Sequence, residues 1–274
     1  MFAGEIINLV YAYVYALGIL ALGELLYHKL DVPQFYTRKF VHIAAGMWAV
    51  PTMLLFYRWE VGVIPFATFI VVNYVLYRFK LAKSVDAEKR TLGTVYFAAG
   101  ITLVFALLWR RFEEVDYGPV ALAGVMALTW GDALAAIGGK LLGRHPYTIL
   151  GSTRSFEGSA VMFVASVAVI FAVLTLLPGT FVSPFAPVLT SQQVLLFALV
   201  GATVATLAEG VTPAGLDNLT IPLLTSGVLW LLMRGREDKR TGGQEDKRTR
   251  GQEDFIASSC PLVLLSCLRR GGSL

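Results

Sequence analysis

Long apolar runs alternate with short polar connectors along most of the chain. Eight runs read as membrane-crossing helices, at roughly 6–27, 40–57, 61–79, 93–109, 119–139, 158–177, 192–208 and 218–233. A span needs about 20 mainly apolar residues, because a helix satisfies its own backbone hydrogen bonds where no water is present. The strands of a membrane barrel would instead alternate apolar and polar residues over about ten positions. These runs are continuously apolar, so the pattern predicts an all-α, polytopic transmembrane helical bundle of about seven to eight spans.

Composition sharpens this. The chain is 56% hydrophobic and 15% charged, whereas a soluble domain carries about 25% charged residues. Residues 1–233 hold 14 Lys/Arg and 13 Asp/Glu, and the last 41 residues hold 9 and 6. The body is therefore poorer in charge than the whole. That excludes a soluble globular enzyme, a nucleic-acid binder and a disordered protein. Both cysteines, Cys260 and Cys267, lie in the tail, so the body has no Cys-based metal site or disulfide framework. The first charges are Glu5 and Glu24, with no basic segment ahead of the first run, which reads as a retained span.

Basic residues set the orientation. One side carries Lys29, Arg38, Lys39, Arg78, Lys80, Lys83, Lys89, Arg90, Lys140, Arg144 and Arg154; the other carries Arg58, Arg110 and Arg111. The first side is expected in the cytoplasm and the N-terminus outside. The same count places the tail outside, so either the span number is off by one or the tail has no influence on insertion. The body is taken as 1–234 and the tail as 235–274. Residues 237–244 (EDKRTGGQ) and 245–252 (EDKRTRGQ) form a charged octapeptide repeat, a composition that predicts disorder.

In lipid the informative residues are the polar ones. Asp132 lies inside an apolar run, where a carboxylate costs about 2.5–3.5 kcal/mol unless paired. Ala135, Ala136, Gly138 and Gly139 follow with almost no side chain, then Lys140, Arg144 and Arg154 among glycines. A carboxylate beside small residues, followed by several cations, suits a metal–polyphosphate ligand, with Asp132 on Mg²⁺ and the cations on phosphates. The structural alternative pairs Asp132 with Lys140 or with another helix. Ser155 and Glu157 stand at the mouth of the next run, either as helix cap and first-turn acid or as site residues. Glu209 and Asp217 flank Gly210, Pro213 and Gly215. This pattern suggests a broken helix lining a polar cavity, with Asp217 as a plain helix cap the alternative. Lys39 and His42 open the second run one helical turn apart, and Arg90 precedes the fourth in the same way. No GxxxxGK[ST], GxGxxG, HExxH or GxSxG pattern is present.

The ordered set RKFVHIAAG (38–46), RTLGT (90–94), GDALAAIGGKLLGRHPY (131–147), STRSFEGS (152–159) and AEGVTPAGLDNLTIPL (208–223) resembles the dolichol kinase/phytol kinase family, most of all its phytol kinases. The family comprises integral-membrane, CTP-dependent lipid-alcohol kinases and is distantly similar to phosphatidate cytidylyltransferases. The resemblance covers about 38–233 and makes 1–234 the expected catalytic domain. One position departs: the family usually has Lys before the Ser of its KSxEG motif, where Arg154 stands here. The resemblance implies transfer of the terminal phosphoryl group of CTP to an isoprenoid alcohol such as phytol, farnesol or a polyprenol, within the bilayer and facing the cytoplasm. It implies Asp132 and Asp217 as Mg²⁺ ligands, Glu209 as acceptor of the alcohol proton or a further metal ligand, and Lys140, Arg144 and Arg154 on the phosphates. Lys39, His42 and Glu157 complete the candidate nucleotide site. The rivals are a phosphatidate cytidylyltransferase, a diacylglycerol kinase and a membrane transporter.

Overall fold

The computed structural model describes residues 2–80, 91–109, 111–112 and 115–236. Lys83, Lys89, Arg90, Arg110 and the repeat-bearing tail therefore lie outside the described residues. The chain divides into a unit ending at Trp230 and a second unit from Leu231. Of the second unit, residues 231–236 are described and are helical.

The first unit is an all-α membrane bundle. Its helices are α1 (Phe2–Lys29), α2 (Gln34–Met47), α3 (Ala49–Leu55), α4 (Trp59–Phe79), α5 (Gly93–Leu108), α6 (Gly118–Met126), α7 (Ala133–Leu142), α8 (Phe156–Leu176) and α9 (Ser191–Val211). A further helix, α10, occupies residues 217–230. Among the described residues, five helical stretches are long and apolar enough to cross a membrane: Gly4–Lys29, Trp59–Phe79, Gly118–Leu142, Phe156–Leu176 and Ser191–Val211. The third, made of α6, a π-helical turn at Ala127–Asp132 and α7, is the most buried and forms the axis of the bundle.

Two of the expected spans look different in three dimensions. The run at 40–57 is two helices meeting at Trp48. Pro51 has no N–H to give the Met47 carbonyl, so a single continuous helix would lose a bond there. Helix α2 also starts earlier than the apolar run, at Gln34, and carries Arg38, Lys39 and His42. The run at 93–109 is a helix of 16 residues, about 24 Å long at 1.5 Å per residue, against a hydrocarbon core of about 30 Å.

Between lipid-solvated helices there is little hydrophobic driving force, so close packing of small residues must hold them. A Cβ on Gly131 would fall 2.7 Å from Met162 Sδ, and one on Gly124 would fall 2.8 Å from the Pro222 carbonyl oxygen. A Cβ on Gly46 would collide with the Thr129 side chain. These three glycines bring α8, α10 and α2 against the central axis. An aromatic-rich cluster including Trp48, Phe56, Phe66, Phe105 and Trp109 packs against α6. Val10, Val14 and Leu17 of α1 and Val164 of α8 are exposed, as side chains facing acyl chains must be.

Candidate active site

The site starts from the π-helical turn. Its wider winding ends on Asp132, and the Leu128 carbonyl oxygen lies 3.3 Å from His42 Nε2. Close approach at Gly46 and Thr129 lays α2 along this turn. Lys39 Nζ donates to Asp132 Oδ2 at 2.6 Å and also lies 3.4 Å from the Asp132 carbonyl. His42 Nε2 is 3.7 Å from the same carboxylate oxygen. Lys39 and His42 sit three residues apart on one face of α2, which is why both reach one acid. The partner of Asp132 is thus Lys39, on another helix, and not Lys140.

A second charge cluster is carried by a β-hairpin. Strands β1 (Pro146–Ile149) and β2 (Ser152–Ser155) pair antiparallel, with Tyr147 opposite Arg154. Leu150 and Gly151 form the two-residue turn, both with positive φ (47° and 76°), the backbone that tight hairpins demand. Arg154 extends from β2 to two acids: its Nε lies 2.7 Å from Glu209 Oε1, and its Nη2 donates to Asp217 Oδ2 at 2.7 Å. Burial works to lower the Arg154 pKa, but the Glu209 and Asp217 carboxylates outweigh it and hold the guanidinium above the ordinary arginine range.

Glu209 and Asp217 are brought together by a break between α9, which ends at Val211, and α10. Gly215 (φ 95°) turns the connector, and Asp217 Oδ1 accepts from the backbone N–H groups of Gly215 and Asn218. Asp217 therefore braces the turn rather than capping α10, whose first bonds run to the Leu216 carbonyl. Ser152 Oγ accepts from Ala214 N–H, tying the hairpin to the same connector. Asn218 Nδ2 donates to the Gly93 carbonyl, and a Cβ on Gly93 would sit 3.1 Å from that amide. The described part of the RTLGT segment, 91–94, is thus a platform beneath the Asp217 loop. Ser155 caps α8 by accepting from Gly158 N–H.

Both clusters face one cavity of about 1220 Å³. Its polar end gathers Asp132, Glu209 and Asp217 with Lys39, His42 and Arg154; Lys140, Arg38 and Lys80 stand on its rim. Five cations against three carboxylates leave an excess of positive charge, with His42 counted as neutral. Lys140 Nζ lies over the Phe35 and Tyr36 rings at 4.1 and 5.0 Å. Arg144 and Glu157 are not among the lining residues. Arg144 is exposed, and Glu157 turns to His145, 2.6 Å from its Nδ1. A helix start directs the first-turn acid outward along the hairpin, which is why Glu157 misses the cavity that Ser155 lines.

The other end of the cavity is apolar, and its wall was not read from the motifs. Helix α1 supplies it, together with Phe66 and Phe69 of α4, Trp48 and Phe97. The signal for that wall was a helical spacing of small and large residues within a run otherwise read only as a span.

The donor set bears on a metal. Among the described residues, no group of three or more His, Cys, Asp or Glu side chains is placed to hold a metal ion by itself. Glu209 Oε2, however, is buried with no hydrogen-bond partner, and Asp132 and Asp217 lie beside it around the same cavity. Hard carboxylate oxygens in small number suit Mg²⁺, which keeps substrate phosphates and water as its other ligands. The residues present fit that ion.

The chain is 32% identical to the "Phytol kinase" of Synechocystis sp. over 219 residues, 78% of this chain and 87% of that protein. It is 29% identical over 146 residues to the "Probable phytol kinase 3, chloroplastic" of Glycine max, covering 50% of this chain and 40% of that protein. No protein-family model and no solved structure matches it.

Proposed function

This chain belongs to the phytol kinase family, and on that premise we propose that it transfers the terminal phosphoryl group of CTP to the hydroxyl of an isoprenoid alcohol such as phytol, using Mg²⁺ at a site open to the cytoplasm. The observation that carries the reading is the two-ended cavity: carboxylates and cations at one end, an apolar wall at the other. A nucleotide triphosphate needs the first and an isoprenoid tail the second. At about 1220 Å³ the cavity exceeds the 300–1,000 Å³ or so of a typical single-ligand pocket, which suits two substrates at once.

Phosphoryl transfer asks for positioning and charge neutralisation more than for covalent chemistry. Lys39 and Arg154 neutralise phosphate oxygens, and Lys140 meets the nucleotide at the cavity wall. Asp132 and Asp217 would hold Mg²⁺, which would supply positive charge to neutralise the phosphates as transfer proceeds. Glu209 accepts the alcohol proton as the substrate oxygen bonds to the terminal phosphorus. The bond from that phosphorus to the bridging oxygen breaks, and CDP leaves with the electron pair. His42 Nε2, held between the Leu128 carbonyl and Asp132, keeps the carboxylate aimed at the cavity. CTP is the donor that the family resemblance implies.

The test supplies the purified protein in lipid with γ-labelled CTP, α-labelled CTP or γ-labelled ATP in parallel arms, and a panel of phytol, geranylgeraniol, dolichol and diacylglycerol. Label in an isoprenoid monophosphate is the expected result. Label entering lipid from the α-position alone marks a cytidylyltransferase and overturns the reading. Turnover with ATP equal to that with CTP overturns the choice of donor.

A further inference from the structure

Helix α1 lies outside the segments that carry the family resemblance, yet it forms one whole wall of the cavity. The wall residues are Ala12, Tyr15, Ala16, Ile19 and Leu20, spaced three and four apart and so in one stripe of the helix. The opposite face, with Val10, Val14 and Leu17, is exposed to lipid. Ala12 is buried in a cluster with Trp48 and Phe66, which closes the stripe at its deep end. At the other end the cavity reaches the acids, with the His42 ring 4.6 Å from Phe97. From Leu20 to Ala12 the stripe runs about 12 Å, and from His42 to Trp48 α2 runs about 9 Å, at 1.5 Å per residue. The two walls run to comparable depth, and their deep ends, Ala12 and Trp48, lie in one buried cluster.

The height of α1 is fixed by directed bonds and not by greasy contact alone. Tyr15 Oη donates to the Ala44 carbonyl at 2.9 Å, Tyr13 Oη and Thr68 Oγ1 are 2.8 Å apart, and Asn8 Nδ2 donates to the Leu55 carbonyl at 2.7 Å. These pin α1 to α2, α3 and α4 at three levels, so the channel floor cannot slide.

We propose that α1 is the measuring wall of the lipid-tail channel, with Ala12 at its floor and Ala16 midway, and that the missing bulk at these positions sets which isoprenoid lengths are accepted. This rests on the reading of the site as an isoprenoid-alcohol kinase. The tail lies along the stripe with its hydroxyl at the Asp132 end. Filling the stripe from the floor upward removes the longest alcohols first, because only their terminal units reach it.

The experiment measures kcat/KM of the full chain for geraniol, farnesol and geranylgeraniol, with CTP as donor, for wild type, Ala12→Phe, Ala16→Phe and Val14→Phe. Ala12→Phe should lower the geranylgeraniol-to-farnesol ratio, and Ala16→Phe the farnesol-to-geraniol ratio, each by at least about tenfold, the scale on which a pocket rejects excess apolar bulk. KM for CTP should stay within about twofold, since the changes lie away from the phosphates. Val14→Phe, on the lipid face, should leave all ratios unchanged. If either phenylalanine variant is not recovered folded, Ala12→Leu and Ala16→Leu give the same ordering with a smaller step. Equal loss for every alcohol, or the same selectivity change in Val14→Phe, overturns the channel while leaving the kinase reading intact. A wild-type protein that phosphorylates none of these three, nor phytol or dolichol, overturns the kinase reading itself.

Discussion

Asp132→Asn separates two roles that the structure superimposes on one carboxylate. The side chain is in a close ion pair: Lys39 Nζ is 2.6 Å from Oδ2, and the two side chains are only 10% and 11% exposed. Asparagine keeps the shape and can still accept a hydrogen bond, but it leaves Lys39 as a buried, uncompensated cation. Breaking a buried pair from one side costs about 3–5 kcal/mol of stability. If Asp132 also holds Mg²⁺, its loss removes several kcal/mol from the transition state, and at 1.36 kcal/mol per tenfold that is about a thousandfold in rate. Both effects lower activity, so activity in cells would not distinguish them.

The double variant Lys39→Met/Asp132→Asn does. It removes both charges, and replacing a buried pair by neutral groups is often neutral or stabilising. Its thermal midpoint should return toward that of wild type, while phosphoryl transfer from γ-labelled CTP to phytol stays about a thousandfold down. Asp132→Asn alone should show both the lowered midpoint and the lost rate. The metal placement is refuted if folded Asp132→Asn retains activity within about tenfold of wild type. Recovery of activity together with stability in the double variant would reduce both Lys39 and Asp132 to a structural pair.

Arg154→Lys restores the residue that the family pattern has, yet here the guanidinium spans Glu209 and Asp217 at 2.7 Å each. A lysine is a point charge without that fork, so kcat/KM should fall by about ten- to a hundredfold, and an unchanged or faster lysine variant would refute the bridging role. Gly46→Val forces a side chain into Thr129 and should lower stability by about 1–3 kcal/mol or more through overpacking; an unshifted thermal midpoint would show that α2 is not seated by this contact. Removing residues 237–274, which carry the charged repeat, should leave phosphoryl transfer near the wild-type rate, and loss of activity at normal abundance would show that the tail contributes to the site.

The apolar runs made the membrane bundle legible because a spanning helix leaves a continuous signature that no other element shares. Asp132, a carboxylate inside an apolar run, and the glycine- and charge-bearing segments that hold Arg154, Glu209 and Asp217 pointed to the residues which the fold brings to one cavity. Pairing was less legible. Lys39 and Asp132 are 93 residues apart, and nothing in local spacing says that α2 lies against the π-helical turn. That turn is itself hidden, since ALTWGD differs from ordinary helix only by one residue of winding. The hairpin at 146–155 leaves no sequence signature because its turn uses Leu150 in a left-handed conformation, a position where leucine is uncommon. Arg144 and Glu157 look like site residues in the sequence for the same reason that Lys140 and Arg154 do. Their outward direction is set by where α7 ends and α8 begins, to within a residue.

The two ion-paired clusters lead to a final expectation about how ligands enter. As the site stands, Lys39 is matched to Asp132, and Arg154 to Glu209 and Asp217. The groups assigned to phosphate and those assigned to metal therefore occupy one another. A cation entering alone would have to draw Asp132 away from Lys39 and leave a buried ammonium unpaired, which is costly. A triphosphate entering alone would draw Lys39 and Arg154 away and leave buried carboxylates unpaired. When both enter, every displaced charge finds a new partner: lysine and arginine move to phosphate oxygens, and the carboxylates face the metal. Binding of Mg²⁺ and of nucleotide should thus be strongly cooperative, with a coupling on the order of tenfold to a hundredfold in affinity, about 1–3 kcal/mol. Thermal-shift titrations of the full chain with MgCl₂ alone, CTP alone and both together would measure it, and the combined shift should exceed the sum of the separate ones. In Lys39→Met/Asp132→Asn, which has no first pair to break, the coupling should shrink. Additive shifts in the wild-type protein would mean that the acids and bases of this cavity hold each other for structure alone, and that metal and phosphate bind elsewhere.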